Sequence, residues 1–176
     1  MAKKHYIQKR DNRMSTKKHQ LKKNSDFKKW QTVVFALLAI VWMIVIFQSS
    51  SADGDTSSMS SDAVYTHFFN WMPYSLEVIK FIRKSAHFIA YAVLGFLFAN
   101  FFGSLMDDDR QVLIFSFLSG LFYAVSDELH QAFVPGRSAM FTDVLIDGAG
   151  IIVGILLAWG IIAAIDYFVS ARRGKT

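Results

Sequence analysis

The sequence predicts an all-α fold, an integral membrane bundle of four transmembrane helices with a further helix lying in the extracytoplasmic interface. Three observations carry this expectation. Hydrophobic residues make up 53% of the 176, charged residues only 19%, and the apolar residues gather into long uncharged runs. Ordinary soluble domains carry about 25% charge and have no use for so much apolar surface. No cysteine is present, so disulfides, thiolate metal sites and a cysteine nucleophile are excluded, and packing alone must hold the extracytoplasmic part.

Residues 1–29 come first as a basic arm, holding 11 of the 19 Lys and Arg against only Asp11 and Asp26. Its few scattered apolar residues predict a disordered cytoplasmic arm that contacts anionic lipid head groups. No recognition module follows it, which argues against nucleic acid as a partner. Residues 30–169 form the membrane domain. Its first span, about 30–47 (WQTVVFALLAIVWMIVIF), is uncharged and about 27 Å long as a helix, against a hydrocarbon core of about 30 Å. A cleaved signal peptide ending near Ser50 and Ala52 is the alternative. It fits less well, because the arm is long for a leader and the apolar run exceeds the usual length of about 7 to 15 residues.

Residues 49–62 (SSSADGDTSSMSSD) read as an extracytoplasmic linker, with Ser61 or Asp62 placed to cap a short helix. From Ala63 to Trp71 the apolar Val64, Phe68 and Trp71 fall on one side, the pattern of an interfacial helix, with His67 at the same level and Pro73 interrupting. Ser75 caps a second helix that starts at Leu76 and runs through Lys84 into span two, about 86–103. Span three covers about 111–126 and span four about 144–169, where Gly148, Gly150, Gly154 and Gly160 allow close helix approach. Residues 170–176 form a cytoplasmic tail. With the N-terminus inside, fifteen basic residues lie on the inner side and only Lys80, Arg83, Lys84 and Arg137 on the outer side. Both termini are therefore expected in the cytoplasm, with the protein in the plasma membrane.

Polar residues at the span ends are the candidates for function. Lys84, His87 and Tyr91 stand at i, i+3 and i+7, one stripe of span two. Asp127, Glu128 and Gln131 share a face at the end of span three, with His130 beside them. Asp143 and Asp147 lie one turn apart at the start of span four, and Arg137 precedes them in the loop. All fall at the outer ends of their helices. A structural role competes with the functional one, since pairs such as Lys84 or Arg137 with Asp127 or Glu128 neutralise each other and pin the bundle. The bilayer nevertheless penalises every ionisable residue, which makes this gathering a functional candidate.

The segments KSAHFIAY (Lys84–Tyr91) and SDELHQAFVPGR (Ser126–Arg137), together with Asp143 followed by Gly148 to Gly154, resemble the VanZ-like family. The IFQSSSADG at the end of span one is similar to that family's pattern too, and the resemblance runs from about Val33 to Leu157. Ala90 and Asp147 stand where the family pattern often has an acidic residue and an asparagine. The resemblance implies a bacterial membrane protein with a role in the cell envelope and in resistance to glycopeptide antibiotics of the teicoplanin type.

Two classes of function follow. In the first, the chain is a non-enzymatic membrane factor whose outer polar cluster binds an envelope lipid, a peptidoglycan precursor or another lipid-linked molecule. Lys84 and Arg137 then hold a phosphate or carboxylate. In the second, it is a membrane enzyme acting on a lipid phosphate, with His87 or Glu128 as general base. No phosphatase motif, H-E-x-x-H helix or G-x-S-x-G elbow is present, which favours binding and leaves any catalytic residue unassigned. A transporter fits less well, because the polar residues gather at one end and not at mid-membrane. No cofactor is expected. No metal is expected either, since the spacing of His87, Asp127, Glu128 and Asp143 matches no known ligand set and the cationic residues compete for the carboxylates.

Overall fold

The computed structural model describes residues 2–52, 54–137 and 140–173, with side chains over 26–52, 56–137 and 140–172. Five α-helices follow one another among them: α1 (Ala2–Ser50), α2 (Gly54–Val64), α3 (Leu76–Leu105), α4 (Asp109–Gln131) and α5 (Phe141–Arg173). A π-helical turn, Tyr65–Phe69, extends α2. Four of the helices, α1, α3, α4 and α5, contain segments long and apolar enough to cross a membrane, with mean hydropathy of 2.4, 1.8, 1.5 and 2.4. Large side chains such as Leu37, Ile40, Phe122, Leu156 and Ile161 remain exposed along them, as the flanks of helices in hydrocarbon require. The chain is a multi-pass membrane protein.

Local chemistry explains the boundaries. Between Ala2 and Ser50 there is neither glycine nor proline, and Lys, Arg, Gln and Met are good helix formers. The backbone is accordingly helical from Ala2, where the sequence suggested a disordered arm, and α1 runs unbroken into the first span. The supposed linker at 49–62 also differs from expectation, because α2 begins at Gly54 and places Ser61 and Asp62 inside it. Ser61 Oγ donates to the Ser57 carbonyl at 3.0 Å, and Asp62 accepts from the Tyr74 hydroxyl at 3.0 Å. That contact raises the Tyr74 phenol above its usual range. Tyr65 donates to the Met72 carbonyl at 2.5 Å and meets the Tyr74 ring edge-on. The segment thus folds on itself and leaves Phe68 and Trp71 exposed, consistent with an interfacial element.

Ser75 caps α3 as expected, its hydroxyl accepting from Val78 N, and Asp108 caps α4 by accepting from Arg110 N at 2.9 Å. Successive long helices alternate in direction, so α3 and α5 run parallel, with α1 and α4 antiparallel to both. At the end where α3 meets α4, Lys28 pairs with Asp107 at 2.8 Å and Thr32 shares a 2.7 Å hydrogen bond with Ser104. The lysine keeps the Asp107 carboxyl below the usual range. Mid-bundle, Ile46, Tyr91, Leu94, Ala124, Ile151, Ile155 and Ala158 form the core.

Candidate functional site

Glycine sets the geometry of the site. A Cβ at Gly150 would collide with the Phe88 carbonyl oxygen, one at Gly154 with that of Ala92, and one at Gly95 with the Ile151 backbone. The backbones of α3 and α5 therefore touch, the close approach that small residues four apart permit. Gly160 has nothing within 4 Å and Gly148 meets only Leu121 Cδ1 at 3.9 Å, so the packing role expected of all four α5 glycines falls on two. Gly95 joins them from α3.

Because the two helices are parallel and in contact, short aspartates on α5 reach the stripe on α3 rung by rung. Lys84 Nζ lies 2.7 Å from Asp143 Oδ1, which also accepts from Thr142 Oγ1 at 3.3 Å. One turn deeper, His87 Nδ1 lies 3.8 Å from Asp147 Oδ1. Another turn down, Tyr91 is fully buried. Lys84 thus pairs with α5, whereas the sequence suggested Asp127 or Glu128 of α4. The difference arises because α3 and α5 touch along their backbones, bringing Asp143 into reach first.

The end of α4 divides its two acids between different neighbours. Asp127 Oδ2 accepts from Ser50 Oγ at 2.8 Å and from Gln131 Nε2 at 3.1 Å, and Gln131 Nε2 also reaches Ser50 Oγ at 3.3 Å. This half is buried against the end of α1. Glu128 points the other way, and its Oε2 accepts from Met140 N at 3.0 Å just before α5 begins. Arg137 Nη2 donates to the Ser49 carbonyl at 3.3 Å, tying the α4–α5 loop to α1. The His130 and Phe47 rings lie 4.6 Å apart, tilted by 44°. Eight of the nine candidates, Lys84, His87, Asp127, Glu128, Gln131, Arg137, Asp143 and Asp147, thus gather at one end of the bundle, and Tyr91 lies below them in the core.

Their hydrogen bonding is incomplete. Among the described residues, both oxygens of Asp147, Oε1 of Glu128 and Oδ1 of Asp127 are buried without a hydrogen-bond partner. Ligand atoms of His87, Glu128 and Asp147 all lie within 4.8 Å of one another. Beside this group, a cavity of about 560 Å³ opens between α1, α2 and α3. Trp42, Ile46, Ile82 and Ile89 give it apolar walls, while Arg83, His87, Arg137, Ser49 and Ser50 supply its polar groups. Residues of α2, Ser57, Ser61 and Val64 among them, cover one side.

A family profile described as VanZ/LLP1 matches residues 35–164. The chain belongs to the VanZ/LLP1 family. Neither a curated protein nor a solved structure matches it.

The matched region of this VanZ/LLP1 protein includes the apolar part of α1 from residue 35 and every residue of the polar end. Chemically, the polar end places cationic donors and an imidazole on an apolar chamber, next to three carboxylates with oxygens left open among the described residues. Several contributors escaped the sequence reading. Ser50 appeared there only as a family pattern and a cleavage alternative, yet it binds Asp127. Arg83 counted only as an outer charge, and its place on α3 next to Lys84 was the available signal that it faces the chamber. Trp42 entered the sequence reading only as one residue of the first span, but its indole donates to the Ala90 carbonyl at 2.8 Å and braces the chamber wall. No pattern in the sequence marks that contact, because its partner is a backbone carbonyl.

Proposed function

We propose that this VanZ/LLP1 protein lies in the bacterial cell membrane with both termini cytoplasmic, and that its outer polar end binds the head group of an envelope lipid or lipid-linked precursor. Binding there lowers susceptibility to glycopeptides of the teicoplanin type. Support for the orientation is the excess of fifteen basic residues on the inner side over four on the outer. One observation carries the ligand class: the 560 Å³ cavity joins apolar walls to Arg83, Arg137 and His87. Its apolar part suits acyl or prenyl chain, and the guanidinium groups suit phosphate or carboxylate, where charge-assisted hydrogen bonds are strongest. The family's link to glycopeptide resistance supports the physiological half of the reading.

A second reading, an enzyme acting on a lipid phosphate, draws on the closeness of His87, Glu128 and Asp147, the arrangement a general base needs. The two separate in nanodiscs holding a long-chain polyprenyl phosphate. Saturable binding that falls at least tenfold in Arg83→Gln, with no phosphate released, is the expected result. Phosphate release that depends on His87 favours the enzyme, and binding indifferent to Arg83 and Arg137 defeats both. In a susceptible Gram-positive host, expression is expected to protect against lipid-bearing glycopeptides more than against those without a lipid tail. Equal protection against the two drug types counts against the envelope-lipid reading.

A further inference from the structure

We infer that His87, Glu128 and Asp147 hold one divalent metal ion, of the zinc or manganese class, at the inner edge of the outer polar end. Charge and satisfaction both point to it. Asp147 is 0% exposed, and neither of its carboxylate oxygens has a hydrogen-bond partner among the described residues. Glu128 is 4% exposed and keeps Oε1 without a partner, its other oxygen being taken by Met140 N. The neighbouring acids are supplied differently, Asp143 by Lys84 and Asp127 by Ser50 and Gln131. Two carboxylates therefore face each other and an imidazole inside a membrane domain, and among the described residues no hydrogen-bond donor reaches their open oxygens. Buried charge of that kind is retained only when paired or bound to metal.

Geometry agrees. Ligand atoms at about 2.1 Å from a tetrahedral ion stand about 3.4 Å apart. Here all three atoms lie within 4.8 Å of one another, with His87 Nδ1 and Asp147 Oδ1 at 3.8 Å, so small side-chain rotations close the set. One nitrogen and two carboxylate oxygens suit zinc or manganese better than calcium, and two negative charges make the site neutral with a divalent ion. Three protein ligands leave a fourth coordination position for water or a ligand group. The inference goes beyond lipid binding and is tested without lipid, so failure of one reading does not decide the other.

Tag-free protein in detergent, stripped with a chelator and dialysed, is titrated with Mn²⁺ or Zn²⁺ alone. Expected are one tightly bound ion per chain and a raised melting temperature. Asp147→Asn, Glu128→Gln and His87→Gln are each expected to weaken binding about 100-fold or more, beyond the effect of losing an outer-shell partner. Glu77→Gln, at an exposed surface position, is expected to bind as the parent does. Should the ligand variants not fold, spin-echo spectra of Mn²⁺ on the unaltered protein must show coupling to an imidazole nitrogen. Absence of saturable binding, absence of that coupling, or affinity equal to the parent's in folded ligand variants overturns the site.

Discussion

Replacing Gly154 with alanine puts a methyl group where α3 and α5 touch. A Cβ there lies 2.7 Å from Phe96 N and 2.8 Å from Ala92 C, and closer still to the Ala92 carbonyl oxygen. Ordinary contact begins near about 3.5 Å, so the helices must part by roughly 0.8 Å or more. Backbone atoms of a packed helix cannot rotate away as a side chain does. Overpacking of this kind costs about 1–3 kcal/mol, and the direct clash with a carbonyl places Gly154→Ala at the upper end. At about 2–4 °C per kcal/mol for a chain of this size, the melting temperature is expected to fall by roughly 5–10 °C. Separation also stretches the rungs above, lengthening the 2.7 Å bond from Lys84 to Asp143, so any binding at the polar end weakens together with stability. Gly160→Ala is the control on the same helix. It has nothing within 4 Å and replaces glycine with a better helix former, so its melting temperature is expected to stay level or rise. Thermal unfolding in detergent, followed by tryptophan fluorescence, measures both. Equal melting temperatures for the two variants would refute the backbone contact, and with it the explanation of how α5 aspartates reach α3.

Four further outcomes are expected. Lys84→Gln and Asp143→Asn should each lower stability by roughly 1.5–3 kcal/mol, with the double variant recovering part of the loss, whereas strictly additive losses would dissolve the pair. Ser50→Ala leaves Asp127 Oδ2 with Gln131 as its remaining donor, and should cost about 1–3 kcal/mol, a loss that Asp127→Asn in the same chain reduces; no change on Ser50→Ala would contradict the buried bond. In this cysteine-free chain, single cysteines at Ser57 and Asp108 should react with an impermeant reagent from opposite sides of the membrane, and same-side labelling would overturn the proposed topology. Deletion of residues 2–25, which keeps Lys28 and Thr32 with their partners Asp107 and Ser104, should leave insertion and melting temperature unchanged, while misinsertion would give the arm a structural part.

Sequence alone determined the elements that depend on composition and near neighbours. Uncharged runs identified the four spans, the Ser75 cap marked the start of α3, and the spacing of Lys84, His87 and Tyr91 placed them on one stripe, since helical periodicity is a local property. A window of continuous helix without breakers was equally readable before Ser50, yet low apolar content argued for disorder, and the backbone followed propensity instead. Tertiary structure decided the partners. Periodicity assigns a residue to a face but leaves open which helix that face meets. Asp127 and Glu128 are adjacent in sequence, yet one turns to Ser50 of α1 and the other to Met140 N before α5. Lys84 meets Asp143, and His87 meets Asp147, only because Gly95, Gly150 and Gly154 let two parallel backbones come into contact. Separations of 59 or 60 residues carry no spacing rule, since they depend on how the intervening helix returns across the membrane and on how closely bare glycine backbone lets the next one approach.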